Sequence, residues 1–229
     1  MLRNRSIFFC DIAAMMRWIK TPFWIKKCTP NLVWDIPQTE RVVYLTFDDG
    51  PTPEITPWVL ETLDAYHFKA TFFLIGNNVA QYPDIAQSLI KKGHGIGNHT
   101  YHHRNSWHTS RVAYLDDITA CSKTMETHLG RTPILFRPPY GKLKLGQPKQ
   151  LRDQNLIPVM WDVLTYDWDS NTTPETCLKS ITENVQPGSI IVFHDSKKAF
   201  GNLKTVLPKA LAYLTAQGYR GEILPKSDL

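Results

Sequence analysis

The chain has 229 residues, 42% hydrophobic, 11% aromatic and 21% charged, the balance of a water-soluble globular protein, which excludes a disordered, collagenous or coiled-coil chain. Lys and Arg number 26 against 21 Asp and Glu, a net charge of +5, but the basic residues are scattered rather than gathered into a stripe, so no nucleic-acid partner is expected. Cys10, Cys28, Cys121 and Cys177 form no CxxC pair, which argues for isolated, mostly buried thiols rather than a zinc knuckle or a disulfide framework.

Arg3 and Arg5 precede an apolar stretch over residues 7–16 that imitates a signal peptide, but Asp11 interrupts it and no small-x-small cleavage site follows. Trp18, Ile19, Phe23, Trp24 and Ile25 then mix with Arg17, Lys20, Lys26 and Lys27. No run approaches the roughly 18–20 apolar residues of a membrane span. Residues 1–40 therefore read as an N-terminal arm, packed across the bottom of the main domain or resting on an anionic membrane surface; a start at Met15 or Met16 would remove the leader-like stretch.

From Arg41 the pattern is regular. The β-branched and aromatic run 42–47 is a buried strand stopped by Asp48-Asp49-Gly50-Pro51, and a helix follows with Thr56 as N-cap and Pro57 in its first turn. Next come a strand over 70–75, a helix over 79–92 closed by Gly93, and a short strand over 95–98 entering a histidine-rich loop. A helix over 112–128 stops at Gly130, strands follow at 134–136 and 157–161 around a short helix at 149–154, and a helix spans 174–185. A strand over 189–193, a helix over 203–217 and a closing strand over 219–224 complete the chain. Continuous apolar strands each followed by a helix argue for a parallel sheet, and about seven such units predict a small α/β barrel. A doubly wound open sheet is the second architecture, but the GxGxxG fingerprint is missing. No linker interrupts residues 41–229, which read as one catalytic domain.

The unusual polar residues fall where strands end: Asp48 and Asp49, His99 to His103, Arg137 to Tyr140, Asp162 to Trp168, and His194 with Asp195. All would share the rim where a parallel barrel gathers its catalytic groups. Two adjacent carboxylates repel unless a cation or a proton separates their roles, so the Asp48-Asp49 pair asks for a metal. His99 and His103, four apart, are expected on one face of a helical turn. One carboxylate and two imidazoles leave an open position for water, and the second carboxylate is free to act as a base. His102 reads as a structural neighbour of the loop, His94 as packing beneath the site, and His67, His108 and His128 as surface.

Thr46-Phe47-Asp48-Asp49-Gly50-Pro51, His99-Thr100-x-x-His103, Arg137-Pro138-Pro139-Tyr140, Asp167-Trp168 and the strand ending at His194 together resemble the NodB-homology polysaccharide deacetylases of carbohydrate esterase family 4. The likeness covers residues 42–224 and keeps all five motifs in order. It implies a distorted parallel (β/α) barrel and one divalent metal, zinc with cobalt, nickel, manganese or iron as substitutes. It also implies removal of N-acetyl groups from N-acetylglucosamine units of peptidoglycan, a chitin-type polymer or a surface glycan. Residue by residue it implies Asp49, His99 and His103 as metal ligands, Asp48 as base and His194 as acid. By the same likeness, the Tyr140 backbone N–H is expected to hold the oxyanion, Arg137 to orient the base, Asp167 to keep His194 protonated, Thr100 to brace the metal loop, Trp168 to wall the groove and Val192 to line the acetyl pocket.

Two positions depart from that pattern. Leu164-Thr165-Tyr166-Asp167-Trp168 lacks the first carboxylate of Asp-x-x-Asp-Trp, although Asp162 stands two residues earlier, and Val192 replaces the usual leucine, which widens the acetyl pocket. Asp195 is read as structural. The competing readings are an O-acetyl esterase on xylan-like glycans using the same site and a catalytically silent sugar-binding protein, against which the retention of Asp48, Asp49, His99, His103 and His194 argues. A monomer with an open, shallow glycan groove is expected, and the substrate class favours the cell envelope.

Overall fold

The structure, a computed structural model, describes residues 18–225; the leader-like stretch 7–16 and Cys10 lie outside them. Strand β1 (Val42–Asp48) is buried along its whole length, as a near-continuous apolar run must be when helices cover one face and the barrel interior the other. On one side it pairs in parallel with β2 (Ala70–Leu74), β3 (Gly95–Asn98), β4 (Leu135–Phe136) and β5 (Ile157–Pro158) in succession; on the other it pairs with β7 (Ile190–His194), which pairs with β6 (Val163–Leu164). The result is a curled, barrel-like sheet of seven parallel strands, as expected. Phe47 lies stacked between Phe72 and Phe193, ring centroids 5.0 and 5.6 Å away, and all three are fully buried.

The N-terminal segment carries α1 (Phe23–Cys28), and around the sheet pack α2 (Ile55–Ala65), α3 (Gly76–Gln81), α4 (Pro83–Lys91), α5 (Arg111–Leu129), α6 (Gln147–Asp153), α7 (Pro174–Thr182) and α8 (Phe200–Ala216). The single helix expected over 79–92 is two, because Pro83 cannot continue a helix and instead opens α4 after Tyr82. Thr56 does not cap α2, which begins one residue before it. The strand expected at 157–161 ends at Pro158, and β6, two residues long, was too short to show a period. The final strand, β8 (Arg220–Gly221), pairs with β1 off the main path rather than closing the sheet.

The outer strands β5 and β6 do not pair with each other, and the N-terminal segment fills the seam. Val33 N–H donates to Pro158 O at 2.9 Å and Met160 N–H to Val33 O at 2.7 Å, while Thr21 N–H donates to Asp162 O at 2.9 Å and Leu164 N–H to Ile19 O at 2.9 Å. An edge strand's unpaired backbone groups are thereby satisfied. Fully buried Asp162 accepts from Lys20 (2.7 Å), Lys26 (2.5 Å) and Ser189 (2.5 Å), so it fastens the arm and stands level with the start of β7, away from the rim that His194 ends on. His94 corrects an expectation too. Its Nδ1 accepts from Ala70 N–H at 3.2 Å, which puts it at the strands' N-terminal end, opposite the rim, instead of under the site.

Candidate active site

Asp48 ends β1 and Asp49 follows with a φ of 81°, a left-handed turn that sends neighbouring carboxylates to different partners. The turn is tight: a Cβ on Gly50 would lie 2.2 Å from Asp195 Oδ2, so only glycine fits above that buried carboxylate. Asp195 N–H donates to Asp48 O at 3.1 Å, and its carboxylate accepts from the Thr56 hydroxyl, which itself accepts from Thr52 N–H at 2.7 Å. Burial pushes the Asp195 carboxyl up to about 7.

Arg137, fully buried, leaves β4 and meets Asp48 Oδ1 with Nη1 at 2.8 Å. Its other donors reach Thr46 Oγ1 (2.7 Å), Met160 O (2.8 Å) and Val159 O (3.3 Å), and the guanidinium lies 4.2 Å above the Phe73 ring. Burial pulls the guanidinium below its ordinary value, and Asp48 offsets part of that.

Asp49, His99 and His103 each turn one ligand atom into a cluster whose members lie within 4.8 Å of one another. Asp49 Oδ1 is 3.2 Å from His103 Nε2 and 3.7 Å from His99 Nε2, yet it is buried and accepts a hydrogen bond from neither. His99 Nδ1 meets Arg137 O at 2.7 Å; a carbonyl only accepts, so Nδ1 carries the proton and Nε2 presents its lone pair to the cluster. Burial pulls His99 down to about 4, so the ring is neutral near pH 7. Burial works against ionising Asp49, but His103, His194 and His99 outweigh it and hold the carboxyl well below its ordinary range. An ionised carboxylate with an orphaned oxygen and a neutral, oriented imidazole fit a divalent cation.

The His99–His103 loop is not the expected helical turn. Thr100 (φ 64°) and His103 (φ 55°) are both left-handed, so the histidines converge across a compact loop. Thr100 is buried; its N–H donates to Asn98 Oδ1 (2.7 Å), its carbonyl accepts from Gly76 N–H (3.0 Å) and its hydroxyl from Arg104 N–H (3.2 Å). Asp117 on α5 completes the fastening, accepting Tyr101 N–H and His102 N–H at 2.9 Å, His102 Nδ1–H at 2.6 Å and Arg104 Nε–H at 3.0 Å. Asn98 and Asp117 were not singled out from sequence. Asp117 nevertheless left a signal, a carboxylate on the face of α5 that buries Tyr114, Ile118, Cys121 and Met125.

Across the rim, His194 Nδ1–H meets Asp167 Oδ1 at 2.9 Å and His194 N–H donates to Asp167 Oδ2 at 2.8 Å. Burial pulls this imidazole down, but Asp167, Asp49 and Asp48 together raise it to about 9. Trp168 packs its ring 4.5 Å from His194, and the Tyr140 ring, 61% exposed on a residue with φ 60°, sits 4.8 Å from His103. Val192 is buried in β7 between Thr46 and Leu164. Beside the cluster a cavity of about 510 Å³ runs from Asp49 and His103 to Asn78, Gln81, Tyr82 and Lys197.

A family model described as Polysaccharide deacetylase matches residues 35–156. The chain is 35% identical over 209 residues to a peptidoglycan-N-acetylglucosamine deacetylase of Bacillus cereus, spanning 90% of this chain and 74% of that one. It is 37% identical over 161 residues to a chitooligosaccharide deacetylase of Azorhizobium caulinodans, 70% of this chain and 76% of the relative. Among solved structures, the Bc1960 peptidoglycan N-acetylglucosamine deacetylase, crystallised with a 4-naphthalen-1-yl-N-oxidanyl-benzamide, superposes with a TM-score of 0.82 at 34% identity, covering 90% of this chain and 95% of that chain.

Proposed function

The chain belongs to the polysaccharide deacetylase family, and we propose that it is a metal-dependent hydrolase removing N-acetyl groups from N-acetylglucosamine units of a glycan, peptidoglycan or a chitin-type polymer. One observation carries the reading: the orphaned Asp49 Oδ1 and the lone pair of His99 Nε2 meet between two differently partnered groups, Asp48 on Arg137 and His194 on Asp167. Asp49, His99 and His103 would hold the cation. When bound, a divalent ion supplies Lewis acidity and brings the loss of a water proton within reach of neutral pH.

This chain's own residues supply the remainder. Arg137 occupies one oxygen of Asp48, so the other is left to take the proton of the attacking water as its oxygen bonds to the acetyl carbonyl carbon. The Tyr140 backbone N–H donates to the oxyanion, a contribution of about 3–4 kcal/mol for one such donor. His194, with Nδ1–H on Asp167, donates its Nε2 proton to the amide nitrogen as the C–N bond breaks, giving acetate and a free amine. Thr100 braces the loop between the ligands, Trp168 holds the His194 ring, and Val192, buried in β7 two residues before His194, would line the acetyl pocket.

Acetate release from an N-acetylglucosamine pentamer and from acetylated xylan, by the same metal-loaded protein, tests the assignment. Turnover of the pentamer with the xylan untouched supports an amidase; turnover of the xylan alone would make the site an O-acetyl esterase.

A further inference from the structure

The net charge of +5 is not spread along the chain. Residues 1–27 carry six basic residues, Arg3, Arg5, Arg17, Lys20, Lys26 and Lys27, against Asp11 alone, and the remaining 202 residues carry 20 of each sign. The whole excess therefore sits in the segment 1–27, of which the structure describes the residues from Trp18 onward. Within it, helix α1 (Phe23–Cys28) is fixed in orientation: Ile25 is buried, and Lys26 pairs inward with Asp35 and Asp162. With that face anchored, Phe23 (68% exposed), Trp24 (43%) and Lys27 are held outward together, the Lys27 ammonium 4.6 Å over the Phe23 ring and Trp18 edge-on to Trp24 at 5.7 Å. Of the other strongly exposed large side chains, Val112 lies on α5, Leu145 in the turn before α6 and Tyr140 at the catalytic rim, all outside the N-terminal segment.

We propose that the outward face of α1, with the basic residues that precede it, docks this protein on the surface of an anionic lipid bilayer. Adjacent Trp and Phe beside Lys suit the headgroup boundary, where aromatic rings bury their apolar bodies and ammonium groups meet lipid phosphates. Charge complementarity favours lipid over a second copy of the chain, since two such faces, each presenting Lys27 and carrying the net positive excess of residues 1–27, would repel one another. No helix among the described residues is long and apolar enough to cross a membrane.

Co-sedimentation of the full chain with phosphatidylcholine vesicles, with and without about 30% phosphatidylglycerol, tests it. Binding is expected only to the anionic vesicles, weakened by salt, and lowered about tenfold in Phe23→Ser/Trp24→Ser and several-fold in Lys27→Glu, each with acetate release in solution unchanged. Equal binding to neutral vesicles, or anionic binding that the double variant leaves intact, would overturn the proposal. So would a concentration-dependent dimer, seen by sedimentation velocity and abolished by the same variant, with no vesicle binding.

Discussion

Asp48 and Asp49 are chemically identical neighbours whose surroundings give them separate tasks. Asp48 faces a fully buried guanidinium at 2.8 Å, and Asp49 faces imidazoles with one oxygen left orphaned. Asp48→Asn keeps the shape and removes the base, so it should lower kcat by about 10²–10⁴-fold while the protein still binds one zinc; equilibrium dialysis alongside the acetate assay separates the two effects. His194 is protonated below its folded pKa of about 9 and loses the proton above it, so donor function is present at lower pH and is lost as pH rises. A cation at Asp49 opposes that protonation, which puts the falling limb of kcat/KM between 6.5 and 9. Asp167→Asn removes the charge that raises it, and the limb should move down by about one pH unit or more; an unmoved limb would assign it to another group.

The metal-binding loop shows what sequence conveys about an element and what it does not. The residue types of His99 and His103 and their spacing were legible because ligation demands them. Their conformation was not, since the loop with its two left-handed non-glycine residues, Thr100 and His103, is fastened by tertiary contacts from Asp117 and Gly76 that no local propensity encodes, with the Asn98 side chain adding a local bond to Thr100 N–H. If Asp117 sets this loop, Asp117→Ala should weaken zinc about 10–100-fold, read by competition with a chelator, and leave the unfolding midpoint of the metal-free protein less affected than a core truncation would. The seam makes a complementary case. Asp162→Ala leaves Lys26 and Lys20 without their buried carboxylate and should destabilise the protein by about 3–5 kcal/mol in urea, whereas Lys20→Met, which retains the Lys26–Asp162 pair, should cost less.

Across the whole molecule, the alternation of buried strands and helices was enough to foresee a parallel barrel, and the strand ends were enough to place its working rim. Closure was beyond reach, because Val33 and Lys20 meet β5 and β6 through single-residue bridges that leave no period in a sequence. Asp162 illustrates the same gap: it stands near a motif carboxylate in sequence but belongs to the seam in space. What unites the parts is the claim that a cation at Asp49, His99 and His103 is required for amide hydrolysis. The most direct measurement is acetate release from the N-acetylglucosamine pentamer by chelator-stripped protein as zinc is returned stepwise. Activity should rise from background to a plateau at one equivalent, and Asp49→Ala should abolish the rise. Release that survives stripping, or that Asp49→Ala leaves intact, would contradict the account.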